Sequence, residues 1–164
     1  MSPVFAKRLP LLNKWNTPID FGKKYNSKRI LGDNKTWRGI IFGTVTGGII
    51  GWIIYLAEPN LLVNISLNQY FSESDAIIVG ASLGFGALFG DAVESFFKRQ
   101  KKIKSGNSWF PFDQVDYILG GLVLVYPFFG LTSTLALQVL LIYFFLHLII
   151  SYIGYVVGLK DKPI

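Results

Sequence analysis

Four long apolar blocks, separated by short charged connections, constrain this chain more than any other feature. They run over about residues 39–57, 75–97, 116–131 and 135–159. At the helical rise, about 20 apolar residues cross the ~30 Å hydrocarbon core of a bilayer. Backbone polar groups inside lipid must be satisfied within the segment, so such blocks become helices. The expected fold class is an all-α integral membrane protein with about four transmembrane helices. Residues 1–164 are read as one membrane-embedded domain, with 1–38 a basic segment outside the bilayer. Pro3, Pro10 and Pro18 break that segment into loop and short amphipathic pieces.

The blocks also carry packing signals. Gly43, Gly47 and Gly51 form a small-residue ridge in the first, and Gly80 and Gly84, with Ala87 or Leu88, a second one in the next block. Such ridges let helices approach closely in lipid. They suit packing within one chain or between two copies, so a homo-oligomer is one expectation. Asp75 reads as an N-cap for the second block, and Leu61–Ser74 as a mixed connection with a short interfacial helix. Gly120-Gly121 allows close packing in the third block, and Pro127 kinks or ends it. His147, inside the fourth block, reads as a hydrogen-bonding group across a helix interface.

Charge sets the topology. Residues 1–38 hold nine Lys or Arg, 98–104 hold five and the tail after Leu159 holds two, which accounts for all sixteen. Each pair of these regions is separated by two blocks, so all three lie on one side. The other side holds Glu58, Glu73 and Asp75 and no cation. By the positive-inside bias the basic side is cytoplasmic. The expected location is the cell membrane, multi-pass, with the active site facing the cytoplasm. The net charge of +6 is read as serving a membrane surface or a phosphorylated substrate, not nucleic acid, because the cations flank apolar blocks. With no Cys, disulfides and thiolate metal sites are excluded. The N-terminus shows no apolar core or cleavage site, so no cleavable signal is expected.

The chemistry concentrates between Gly90 and Gly121. Asp91 and Glu94 fall on one helical face together with Ser95 and Lys98, and Asp113 and Asp116 follow a basic run of Lys98, Arg99, Lys101, Lys102 and Lys104. Carboxylates at this density suit a hard cation, Mg²⁺, with open positions for phosphate oxygens. The cations would face those oxygens. On the same side, Gly32-Asp33-Asn34-Lys35-Thr36-Trp37-Arg38-Gly39 offers glycines, an amide, a hydroxyl and two cations. That set can wrap a polyphosphate at a helix N-terminus; it lacks the glycine spacing of a Walker A loop. Together these parts point to phosphoryl or nucleotidyl transfer at a membrane surface.

Each piece also has a plainer reading. The 98–104 run reads equally as an ordinary positive-inside loop, Asp113 as a helix cap, Lys35 and Arg38 as anchors of the first span. Acids within a span are costly and resist a purely structural account. The functional reading rests on all these groups falling on one side.

The run Gly90-Asp91-x-x-Glu94-Ser95-x-x-Lys98-Arg99, then Lys104 and Asp113-Gln114-x-Asp116, resembles the signature of the CTP-dependent phosphatidate cytidylyltransferases, and most closely their archaeal-type branch, the CDP-archaeol synthases. Thr17-Pro18-Ile19-Asp20-Phe21-Gly22, Gly32–Gly39 and the tail Gly158-Leu159-Lys160-Asp161-x-Pro163 also resemble that branch, so the likeness spans nearly the whole chain. It implies transfer of CMP from CTP to a lipid phosphate, of the archaetidic or phosphatidic acid type, with release of pyrophosphate. It implies Mg²⁺ held by Asp91, Asp113 and Asp116, with Lys98 grouped with them as catalytic. Substrate contacts would come from Asp33, Asn34, Lys35, Thr36, Arg38, Glu94, Ser95, Arg99 and Lys104. Two departures stand out. The Gly/His-rich insert of the bacterial branch is absent, since Trp109-Phe110-Pro111-Phe112 leads directly into Asp113. The further span that the branch carries ahead of the segment matching Ser2-Pro3-Val4 is also missing; either the start lies late, at Met1, or the chain has one helix fewer.

Two other classes compete. A CDP-alcohol phosphotransferase needs an Asp-Gly-x-x-Ala-Arg run, which is not present. A small membrane transporter or scaffold with an anion or metal site would show acids near mid-bilayer and matching broken helices in two halves; no internal repeat is visible.

Overall fold

The computed structural model describes residues 16–25, 28–32, 34–58, 71–103, 107–129 and 132–159. Among them, four helices form the bulk of the molecule: α1 (Trp37–Ala57), α2 (Glu73–Gln100), α3 (Phe112–Phe129) and α4 (Ser133–Val156). A small antiparallel hairpin, β1 (Lys24–Tyr25) and β2 (Lys28–Arg29), precedes them. Helices α1, α2 and α4 are long and apolar enough to cross a membrane by length and composition. The third block is an 18-residue helix that carries Asp113 and Asp116 in its first turns, and it is not among the three. It runs on to Phe129, two residues past Pro127. Most of the 61–74 connection lies outside the described residues, as do Asp33 and Lys104.

Helix α2 is the central element, because it offers a small-residue face to each neighbour. Gly43, Gly47 and Gly51 of α1 lie against Leu88, Gly80 and Gly84, and Ala76 of α2. A Cβ on Gly47 would run into the Gly80 carbonyl, and one on Gly80 into the Gly47 carbonyl, so neither backbone leaves room for a side chain. On its other face, Gly86 and Gly90 meet Gly120, Gly121 and the Asp116 carbonyl of α3 in the same manner. Both ridges are therefore spent within one chain. This close packing replaces the hydrophobic drive that lipid does not supply between helices.

The helix ends are closed by local chemistry. Ser72, rather than Asp75, is the N-cap of α2. Asp75 occupies the third helical position and completes a capping box, with Ser72 N donating to Asp75 Oδ2 at 2.8 Å and Asp75 N donating to Ser72 Oγ at 3.3 Å. Thr36 caps α1 and Thr132 caps α4 through Oγ1. At this end of α2, Trp52 Nε1 donates to Glu73 Oε1 at 2.5 Å, clipping α1 to α2. A small apolar core of Phe71, Ala76, Val79 and Val125, with Tyr55 beside it, lies near the same end.

Helix α4 stands apart. Ser151 is its one buried residue among those described, and Ile142, Phe145, Ile149 and Ile153 are exposed. Outward apolar side chains of this kind face lipid at no cost.

Candidate active site

The 28-residue α2 is about 42 Å long, longer than the ~30 Å of hydrocarbon it has to cross. Crossing that thickness takes about 20 helical residues, and Asp91 and Glu94 follow Glu73 by about 18 and 21 residues. Helix α3 begins at the same end. The Gly90–Gly120 contact lets it approach so closely that Asp116 comes level with Asp91.

One carboxylate oxygen from each of Asp91, Glu94 and Asp116 lies within 4.8 Å of the other two. Three acids so close need cations between or beside them. Two lysines provide part of this. Lys35 Nζ, from the segment before α1, pairs with Asp91. Lys98 Nζ, one turn beyond Glu94, sits 3.3 Å from Glu94 Oε1 and 2.6 Å from Asp113 Oδ1. The side chains of Lys98 and Glu94 are 12% and 6% exposed, so this pair is well shielded from water.

Asp113 is not one of these three, but its carboxyl lies in hydrogen-bonding contact with that of Glu94. Its Oδ1 is taken by Lys98 and its Oδ2 accepts from Trp109 N at 3.0 Å. Glu94, expected from the sequence as a substrate contact, stands with Asp91 and Asp116 in this group of three, beside Asp113. Spacing alone favours Asp113 and Asp116, one helical turn apart. Lys98 reaches across from α2 to Asp113 at the start of α3. Ser95 is buried beside Glu94. Arg99 Nη1 donates to the Ile103 carbonyl at 2.9 Å and closes the end of α2. Lys101 Nζ lies 4.7 Å from the Trp109 ring centroid, tying the loop back to the start of α3. Thr36 Oγ1 is engaged as the α1 cap, with Asn34 two residues before it and Arg38 in the first turn of α1.

Ahead of Lys35 lies a turn built on Asp20, to which the sequence analysis gives no role. Asp20 accepts Arg29 Nη2 and Nε at 2.9 and 3.3 Å, and the amides of Gly22, Leu31 and Gly32 at 3.0, 3.0 and 3.4 Å. Burial alone would push its carboxyl up; the Arg29 guanidinium and the three amides outweigh this and hold it at about 2. Gly22 and Gly32 have φ of 77° and 94°, a region open to glycine. The two glycines flanking a hairpin after an Asp are the signal that could have revealed this turn.

Between α3 and α4 lies a cavity of about 260 Å³ lined by Tyr117, Tyr143, Leu146, His147, Ile150 and Ser151. The Tyr117 hydroxyl and His147 Nδ1 share a 3.4 Å hydrogen bond across it, the interhelical role expected of His147. The cavity's surface is mostly apolar, with Tyr143 and Ser151 adding polar groups to the Tyr117–His147 pair.

The profile of the CarS-like CDP-archaeol synthase family matches residues 3–164. The chain belongs to this family. The CDP-archaeol synthase of Thermococcus onnurineus is 34% identical over 160 residues, covering 97% of this chain and 89% of the relative. Those of Methanosarcina barkeri and Pyrobaculum aerophilum are 38% and 32% identical, covering 89% and 99% of this chain and 89% and 88% of theirs. A solved intramembrane enzyme for archaeal membrane lipid biosynthesis is 27% identical, with a TM-score of 0.68, over 90% of this chain and 87% of its own. Membership of the CDP-archaeol synthase family makes the chain a membrane-embedded enzyme of lipid biosynthesis, and agrees with three helices fit to span.

Proposed function

We propose that this chain transfers CMP from CTP to a lipid phosphate, forming a CDP-lipid and pyrophosphate on the cytoplasmic side of the membrane. The observation that carries the reading is the meeting of Asp91, Glu94 and Asp116 at one end of α2 and α3, with Lys35 and Lys98 against the neighbouring acids.

The donor set fits Mg²⁺. Octahedral bonds of about 2.1 Å place ligand oxygens roughly 3–4 Å apart, and the three carboxylates, within 4.8 Å, need only a small inward turn. When bound, Mg²⁺ would neutralise charge on the triphosphate and on the departing pyrophosphate. Lys35, on the segment leading into α1, reaches phosphate oxygens from one side. Lys98 keeps Glu94 and Asp113 from repelling each other and so holds α2 and α3 in register.

A phosphate monoester is largely ionised at neutral pH, so the acceptor needs positioning more than deprotonation. One of its oxygens attacks the α-phosphorus of CTP. A P–O bond forms there as the α-phosphorus bond to the β-phosphate oxygen breaks, and the electron pair leaves with pyrophosphate. The hydrocarbon chains of the acceptor lie in the α3–α4 cleft, whose lining includes Tyr117, the residue after Asp116 in sequence. The names of the relatives favour an ether-linked, archaetidic-type acceptor over a diacyl one.

The test uses purified folded protein with α-labelled CTP and vesicles carrying either lipid phosphate. The expected result is label in a CDP-lipid, dependent on Mg²⁺, with one pyrophosphate per product and preference for the ether lipid. Absence of CDP-lipid from both acceptors would refute it.

A further inference from the structure

The Thr17–Gly22 turn makes no contribution to the chemistry outlined above, yet it is among the most firmly anchored pieces outside the helices. The Asp20 side chain is 1% exposed and, among the described residues, accepts five hydrogen bonds, all from residues 22 to 32. The residues on either side of it work on a different segment. Ile19 N donates to the Lys35 carbonyl at 2.9 Å, Pro18 and Thr36 form an antiparallel bridge, and Trp37 N donates to the Thr17 carbonyl at 3.2 Å.

We propose that Asp20 is a positioning residue of the nucleotide site, acting through Lys35; this rests on the cytidylyltransferase reading above. The loop that carries Lys35 is gripped at both ends. The Asp20 carboxylate holds its start at Leu31 and Gly32, and the strand beside Asp20 holds its end at Lys35 and Thr36. Lysine has a long flexible stem, and fixing its backbone removes much of the disorder that binding would otherwise have to overcome. Asp20 itself touches no reacting group. Its charge is matched locally by Arg29, so it acts through geometry and not through its field. Asparagine is a sharp probe, because an amide NH₂ in place of one carboxylate oxygen would confront backbone donors that need an acceptor.

The experiment is a double-mutant cycle on the full chain, read by equilibrium CTP binding with Mg²⁺ and by the split between KM and kcat. Asp20→Asn and Lys35→Ala are each expected to weaken CTP binding about tenfold, and the double variant no further than Lys35→Ala alone. For Asp20→Asn the loss should appear in KM for CTP, with kcat within about threefold. Arg29→Lys, which keeps the charge but loses the fork, should shift KM in the same direction by less, and not at all on the Lys35→Ala background. Should Asp20→Asn fail to fold, the Arg29→Lys cycle alone decides. Multiplying effects in either cycle, or unchanged CTP affinity in the first variants, would overturn the inference while leaving the cytidylyltransferase reading in place. A wild-type protein that neither binds nor turns over CTP would overturn both.

Discussion

At the scale of residues, charge is placed where partners wait for it. Asp20 shows the cost and gain most clearly. Its carboxyl is held at about 2 against an ordinary 3.8. A depressed acid contributes stability above its unfolded value and loses it as pH falls through the folded one. The difference is worth about 2 kcal/mol to the turn. The turn is therefore expected to hold above about pH 4 and to open between about pH 4 and 2. Trp37, whose ring lies 6.4 Å from that of Phe21, can report this by fluorescence once the other tryptophans are replaced, and Asp20→Asn should abolish the transition. Lys98 has the opposite task, one cation between two acids on two helices. Lys98→Met leaves Glu94 and Asp113 facing each other without it, and removing one partner from a shielded ion pair costs about 3–5 kcal/mol. A fall in CDP-lipid formation of at least about a hundredfold is expected, measured beside the melting temperature.

At the scale of elements, backbone contact decides what can be changed. Gly90 meets the Asp116 carbonyl, so Gly90→Val must push α3 away and carry Asp116 from Asp91. A shift of ~1 Å is enough to cost about a hundredfold in rate. A Cβ on Gly43 would meet the Leu88 side chain, which can turn aside, so Gly43→Ala should cost no more than about 1 kcal/mol. Thermal melts and turnover of the two variants check the contrast. The glycine periodicity is legible in the sequence, and so is the shared face of Asp91 and Glu94, because both follow from helical spacing. What the sequence leaves open is which acids meet across helices. That depends on the α2–α3 approach and on Lys98 choosing Asp113, neither of which has a local signal. The Asp20 turn is hidden for a related reason. Its partners at 29, 31 and 32 become neighbours only when the hairpin closes.

At the scale of the whole molecule, tight packing around α2 and loose packing at α4 divide the labour between a rigid charged end and a yielding apolar side. The apolar blocks announce the helices, but not that α4 stays apart. Its large side chains offer no small-residue ridge, and the cleft follows from that. Filling the cleft with Ile150→Trp should raise KM for the lipid phosphate about tenfold or more and leave KM for CTP unchanged. Because the chain has no cysteine, Asn107→Cys and Glu58→Cys each give a single label site. An impermeant reagent on intact cells should reach Glu58→Cys and spare Asn107→Cys. The account depends most on Asp91, Glu94 and Asp116 forming the cation site while Asp113 serves Lys98. Titration of Mn²⁺, standing in for Mg²⁺, by electron paramagnetic resonance tests this directly. Asp116→Asn should weaken binding by at least about tenfold, and Asp113→Asn should stay within about threefold of wild type. Wild-type affinity in Asp116→Asn, or its loss in Asp113→Asn alone, would contradict it.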